Sequence, residues 1–223
     1  TGNASLTSVE LPKLVRAGRL DMRNLGALTA VNLPELVETM YLNFTELPNL
    51  QSLVVPQLAT LKEDTLNGYG ENIIFTRTGL REINLPLLDS PSADSEARLT
   101  VTENAELETV RMAKLSEGSA LFVEDNPKLV TISLPSFDIK ESKFHADGYV
   151  KFENNPELTT IELPSLQFVP DILWFTENPK LTNLNGLAKL QTIGNGINIR
   201  NNQTLNSVSG MMSLKRVQTI NDK

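Results

Sequence analysis

The chain has 223 residues, 40% hydrophobic but only 5% aromatic, a balance that suits many small equivalent layers better than one three-dimensional core. Zero Cys excludes disulfides, thiolate nucleophiles and sulfur-ligated zinc, and the single histidine, His145, leaves no Cys/His dyad and no multi-His metal cage. With 20 basic against 27 acidic residues the net charge is −7, which argues against a nucleic-acid partner, and no stretch approaches the roughly 18 apolar residues of a membrane helix.

Catalysis of any kind would have to rest on carboxylates, Lys, Arg or Tyr. The chain opens at Thr1 with neither an initiator Met nor an apolar signal core, which reads as a processed form or a fragment of a longer protein.

From the N-terminus one pattern recurs: Leu, two polar residues, Val or Ile, one polar residue, Leu, Pro, any residue, Leu. Its first copy is Leu6, Val9, Leu11, Pro12, Leu14. It returns at Leu28, Val31, Leu33, Pro34, Leu36, then at Leu50, Leu53, Val55, Pro56, Leu58, and at Leu80, Ile83, Leu85, Pro86, Leu88. Leu107, Val110, Met112 and Leu115 follow, with Ala113 in the proline position. Next come Leu129, Ile132, Leu134, Pro135, Phe137 and Leu158, Ile161, Leu163, Pro164, Leu166. The copies starting at Leu181 and Leu205 replace the proline step with Asn185-Gly186 and Ser209-Gly210. Successive anchor leucines stand 22, 22, 30, 27, 22, 29, 23 and 24 residues apart, so the basic coil is about 22 residues.

Within each coil the apolar positions alternate as in a strand, and the Pro after them removes a backbone donor, so the strand ends there. A second strand follows in most coils, clearest at 99–101, 121–123, 149–152, 172–175 and 197–199. Three residues before the anchor stands Asn3, Asn104, Asn126, Asn155, Asn178 or Asn202, in six of nine copies. Asn tolerates the left-handed turn conformation, and its amide satisfies backbone groups inside a bend, so this column predicts a hydrogen-bonded ladder. No sustained 3.6-residue period is present. These features predict a mainly all-β chain: one leucine-rich β-solenoid or β-helix of about nine coils spanning 1–223.

The sequence Leu-x-x-Ile-x-Leu-Pro-x-Leu, then Gly-x-Leu-x-Val, then Asn-Asn-Pro-x-Leu, strongest at 119–137, 148–166 and 196–214, resembles the receptor L domain repeat. It is most similar to the fungal GPI-anchored cell-wall organisation proteins of the Sps2 family, with bacterial BspA-type leucine-rich surface proteins second. The resemblance implies a right-handed, receptor-L-domain-like solenoid at the cell surface, with a role in wall or surface organisation and no defined reaction. Flanking cysteines, usual in those relatives, are absent here.

Three copies carry extra residues, at 59–72, 89–97 and 138–148, all at the same corner of the coil. Tyr69 in the first insertion, and Lys143, Phe144 and His145 in the third, are the candidate ligand-binding residues, since an exposed aromatic flanked by polar groups can stack on a sugar ring or anchor a protein. Glu103, Asp125 and Glu177 precede ladder asparagines, and stacked carboxylates repel unless screened or bridged by a cation. No Asp-x-Asp-x-Asp or Gly-rich nonapeptide motif accompanies them, so no metal site is assigned. The hydroxyl-rich exposed strand positions are interrupted by Glu10, Glu82, Arg111 and Glu162, which argues against an ice-binding array. Asn3, Asn43 and Asn202 head N-x-Ser/Thr sequons.

The expected function is a non-catalytic, extracellular or cell-surface interaction module without cofactor, binding protein or cell-surface glycan through the inserted-loop corner. The alternatives are a polysaccharide lyase or hydrolase on a parallel β-helix, which needs clustered Asp, Arg or Lys in adjacent coils, and a purely structural spacer. Self-association through the terminal coils is expected, because no capping unit is evident.

Overall fold

The computed structural model describes residues 3–62, 72–90, 97–139 and 148–218. Over these residues the chain winds into a parallel β-solenoid with three faces, its strands numbered here in chain order. The broadest face is one continuous eight-stranded sheet. It runs β2 (Arg19–Arg23), β5 (Tyr41–Leu47), β8 (Asn72–Thr78), β10 (Arg98–Thr102), β12 (Ala120–Glu124), β14 (Val150–Glu153), β17 (Ile172–Thr176) and β19 (Gly196–Arg200). These are the second strands of each coil. Eight complete turns result, one fewer than the nine anchors, because the coil opened by Leu205 adds no strand to this sheet among the described residues.

The Leu-x-x-Ile-x-Leu strands form a second face made of two separate sheets. One holds β1 (Ser8–Glu10), β3 (Ala30–Asn32) and β6 (Ser52–Val54); the other holds β9 (Glu82–Asn84), β11 (Thr109–Arg111), β13 (Thr131–Ser133) and β15 (Thr160–Glu162). In the last two coils short 3-10 turns, Asn185–Leu187 and Ser209–Met211, take the strand's place. Glycine is required there: a Cβ on Gly186 would lie 1.8 Å from the Ile161 carbonyl oxygen, and one on Gly210 would lie 1.9 Å from that of Leu184. The third face is patchier, with β4 (Glu38–Thr39) on β7 (Thr60–Leu61), and β16 (Phe168–Val169), β18 (Thr192–Ile193) and β20 (Arg216–Val217) as a three-stranded sheet.

Parallel in-register stacking places like on like, so the interior is a set of apolar columns. One runs Phe44, Phe75, Val101, Val123, Phe152, Phe175, with Phe44 on Phe75 and Phe152 on Phe175 stacked at 5.4 and 5.3 Å between centroids. Seven anchor leucines, from Leu28 to Leu181, are fully buried. Leu6 and Leu205 are half-buried, because each has a neighbouring coil on one side only. The end coils also expose Leu11, Val15, Val208, Met212 and Val217.

The corner before each anchor is a tight turn in which the anchor N–H donates to the carbonyl three residues earlier, as from Leu28 to Leu25 and from Leu129 to Asn126. Every anchor leucine makes this bond except Leu80. The asparagine ladder occupies the corners from the one before Leu107 onward. Asn104 Nδ2 donates to the Phe75 and Thr102 carbonyls at 3.0 Å, while its backbone N–H and amide reach Asn126 Oδ1. The same bonds repeat from Asn126 to Asn155 and from Asn155 to Asn178, and the Asn178 N–H reaches Asn202 Oδ1.

Two details differ from expectation. Asn3 stands outside the ladder, exposed, because Leu25 and Leu47 fill the column in the coils between. The left-handed residue is not the ladder asparagine but the one before it: Asn24, Glu46, Arg77, Glu103, Asp125, Asn154, Glu177 and Asn201 all have φ between 52° and 58°. The turn needs its positive φ one step earlier than the side chain that satisfies it.

Candidate functional site

Along a strand side chains alternate between faces, so positions next to the core columns point outward from the eight-stranded sheet. The register stacks Thr100, Phe122, Lys151, Trp174 and Asn198 in one outward column. Beside it run Thr76, Thr102, Glu124, Glu153, Thr176 and Arg200. The chain's single Trp and two of its three Tyr, Tyr41 and Tyr149, lie on this face.

The polar groups hold the rings in place. The Arg98 guanidinium lies 5.3 Å from the centroid of Phe122, the Lys151 ammonium 5.5 Å from that of Trp174, and Tyr149 packs tilted against Phe122 at 6.1 Å. Trp174 Nε1 donates to Thr176 Oγ1 at 3.2 Å. Lys151 Nζ donates to Glu124 Oε2 at 2.8 Å and also pairs with Glu153. Partial burial pulls the Lys151 pKa down, but the hydrogen bonds it donates to Glu124 and Glu153 outweigh that and raise the value, which favours the charged ammonium.

The outcome is a platform of half-buried aromatic rings. Phe122 and Trp174 sit two strands apart, roughly 9.6 Å, with an ammonium between them and two carboxylates alongside. Ring faces accept the C–H faces of sugars, and the carboxylates, amides and hydroxyls around them can bond hydroxyl groups. Strands rather than loops carry these groups, which fixes their spacing.

Tyr69, Lys143, Phe144 and His145 lie outside the described residues, as do 91–96 of the second insertion. The expected repulsion among the corner carboxylates is met from within the chain. Arg77, in the left-handed column, donates to Glu103 through Nε at 2.7 Å and Nη2 at 3.1 Å, and pairs with Glu46 on its other side. Farther along, Asn154 Nδ2 donates to Asp125 Oδ1 at 2.7 Å. A guanidinium and an amide thus take the place a bridging cation would fill. Among the described residues no group of three or more His, Cys, Asp or Glu is arranged to hold a metal, and no helix is long and apolar enough to cross a membrane. Of the sequon asparagines, Asn3 is exposed, Asn43 is 2% exposed, and the Asn202 amide donates to the Phe175 carbonyl.

The aromatic platform was missed by sequence reasoning although its strands were found. Alternation about the core residues Leu121, Val123, Phe152 and Phe175 already sends Phe122, Lys151 and Trp174 outward. No protein-family model matches the chain, and no curated protein and no solved structure matches it either.

Proposed function

We propose that this chain is a non-catalytic cell-surface interaction module that binds glycan through the outer face of the eight-stranded sheet, in a receptor-L-domain-like setting of wall or surface organisation. The observation carrying this reading is the column Phe122, Lys151, Trp174, with Tyr149 against it. Strand-borne rings with neighbouring charge suit a repeating polymer of hydroxylated rings better than a single compact ligand. The exposed sequon at Asn3 and the cell-wall character of the resembling family support an extracellular setting. The exposed apolar side chains of the end coils support self-association there. Sedimentation at high micromolar concentration showing only monomer would remove that part.

The test is retention on a panel of insoluble and soluble cell-wall polysaccharides, with released sugar ends recorded in the same tubes. Trp174→Ala and Phe122→Ala should each weaken retention roughly tenfold or more while leaving the melting temperature near wild type. Equal retention by wild type and both variants would overturn the proposal.

One observation favours the second reading, a hydrolase. Glu124 and Glu153 are direct partners on adjacent strands, and carboxyls about 5 Å apart are the arrangement of retaining glycosidases. Lys151 pairs with both in the free protein and offsets one of their two charges, which favours binding over catalysis. Release of sugar ends that disappears in Glu124→Gln or Glu153→Gln would reverse this ranking.

A further inference from the structure

The face formed by the Leu-x-x-Ile-x-Leu strands is interrupted once. Between β6 and β9 no backbone hydrogen bond forms, although the coils that carry them are joined on both sides of the gap. On one side the Gly79 N–H donates to the Leu47 carbonyl at 3.1 Å; on the other the Leu61 N–H donates to the Asp89 carbonyl at 2.9 Å. Between these ties lies a cleft of about 830 Å³, lined by Leu53, Val54 and Pro56 on one wall and Arg81, Glu82 and Asn84 on the other.

The gap has a cause in the chain. Elsewhere two residues separate the corner position from the anchor, as Pro48-Asn49 do between Leu47 and Leu50; in the fourth coil Gly79 alone separates Thr78 from Leu80. That missing residue is why Leu80 lacks the turn bond every other anchor makes. The shortened corner presses Gly79 onto the previous coil, where a Cβ would stand 2.4 Å from the Pro48 carbonyl oxygen. Past this point β9 starts out of step with β6.

Both walls are strand edges. Bonding of β6 to β3 runs through Ser52 and Val54, and bonding of β9 to β11 through Arg81 and Leu85, so the pleat turns the backbone groups of Leu53, Glu82 and Asn84 toward the cleft. Leu53 is half-buried and Val54 is 40% exposed, whereas the column mates of Leu53, Val31 and Ile83, are closed off. The cleft therefore lacks both a rung of hydrogen bonds and an apolar side chain over Leu53.

We propose that this cleft is a peptide-binding site, and that its occupant is an extended segment of a partner protein that inserts as a strand between β6 and β9. Main-chain bonds to both edges supply affinity, as in other strand-addition complexes. Selectivity follows from the walls: an apolar residue packs on the half-buried Leu53, flanked by polar ones, with a basic side chain favoured next to Glu82. The site is independent of the aromatic platform.

A labelled peptide Leu-Thr-Lys-Val-Thr-Leu-Pro, with capped ends and the spacing of the chain's own repeat, is the probe, titrated by fluorescence anisotropy. Its Val N-methylated form and a scrambled form are the controls. The peptide should bind, and N-methylation, which removes the donor to the Glu82 carbonyl, should weaken it roughly tenfold. Glu82→Pro, which deletes an N–H facing only the cleft, should do the same with an unchanged circular dichroism spectrum. Replacing Gly79 with a Pro-Asn pair restores the full corner, closes the cleft and should abolish binding, while Trp174→Ala leaves it intact. The proposal is overturned by equal binding of the scrambled peptide, by full affinity in both Glu82→Pro and the restored-corner variant, or by no binding at about 1 mM. A wild-type dimer that the restored corner turns into monomers would assign the cleft to a second copy of this chain and also overturn it.

Discussion

The first three coils and the last five make the same corner from opposite materials. In both, a non-glycine residue takes the left-handed conformation, and at every corner but the one before Leu80 the anchor N–H closes the turn. The next side chain is Leu25 or Leu47 on one side of the junction, and Asn104, Asn126, Asn155, Asn178 or Asn202 on the other. A leucine corner is stabilised by area removed from water and needs nothing specific from its neighbours. An asparagine corner works by hydrogen bonds whose donors and acceptors lie in the adjacent coils, so asparagines must run contiguously. Thr78 ends the run: its N–H and hydroxyl both donate to Asn104 Oδ1, at 2.9 and 2.7 Å, and it asks nothing of the leucine coils before it.

Exchanging the two corner types is the strongest way to break the comparison. Asn126→Leu strips the amide bonds from the Val101 and Glu124 carbonyls and the acceptor from the Asn104 N–H. Leaving several buried backbone groups unmatched should cost roughly 3–6 kcal/mol. Leu47→Asn should be comparably harmful for the converse reason, a buried amide without partners, and combining the two should bring no rescue, since they stand in different coils. Chemical denaturation checks both. Leu129→Ala should cost about 2–5 kcal/mol, and Leu6→Ala much less, because Leu6 packs on one side only; equal midpoints for the two would refute this register.

Smaller effects come from the surface column. Arg77→Met should lower the melting temperature at low salt, with the difference fading toward 1 M as screening removes the attraction to Glu103 and Glu46. The smallest concerns Glu106, whose carboxyl is held below its usual range by the hydrogen bond and charge of Lys128. A depressed folded pKa contributes stability that is present above the unfolded value, near 4.3, and is lost as pH falls through the folded one. In Lys128→Met that part of the acid-side slope in a pH-resolved melt should disappear.

The repeat was legible because parallel stacking converts sequence period directly into columns: anchor spacing sets the coil, and Asn104 to Asn202 announce the ladder. Which residue takes the positive φ was not, since Glu103, Arg77 and Glu177 are poor local predictors of that conformation and adopt it because the corner demands it. The shortened fourth corner was hidden too. Its anchor spacing of 30 combines a long insertion with a one-residue deletion, and only the lost turn bond at Leu80 exposes the deletion. The aromatic platform was hidden for a third reason: Phe122 and Trp174 sit in ordinary strand positions whose meaning depends on register with Lys151, unlike residues of the long insertions, which stand out by length alone.

The cleft also bears on how the molecule can bend. In a solenoid each coil touches only its neighbours. At the junction the stacked layers are held by the β5 to β8 and β8 to β10 ladders on the broad face and by the Leu61 to Asp89 bond on the third, and are open only between β6 and β9. Any bending there would have to turn about those ties, with the cleft as the place where the layers can close or part. Flexing there would swing three coils against five, while Phe122, Tyr149 and Trp174 all ride on the same arm with their spacing unchanged.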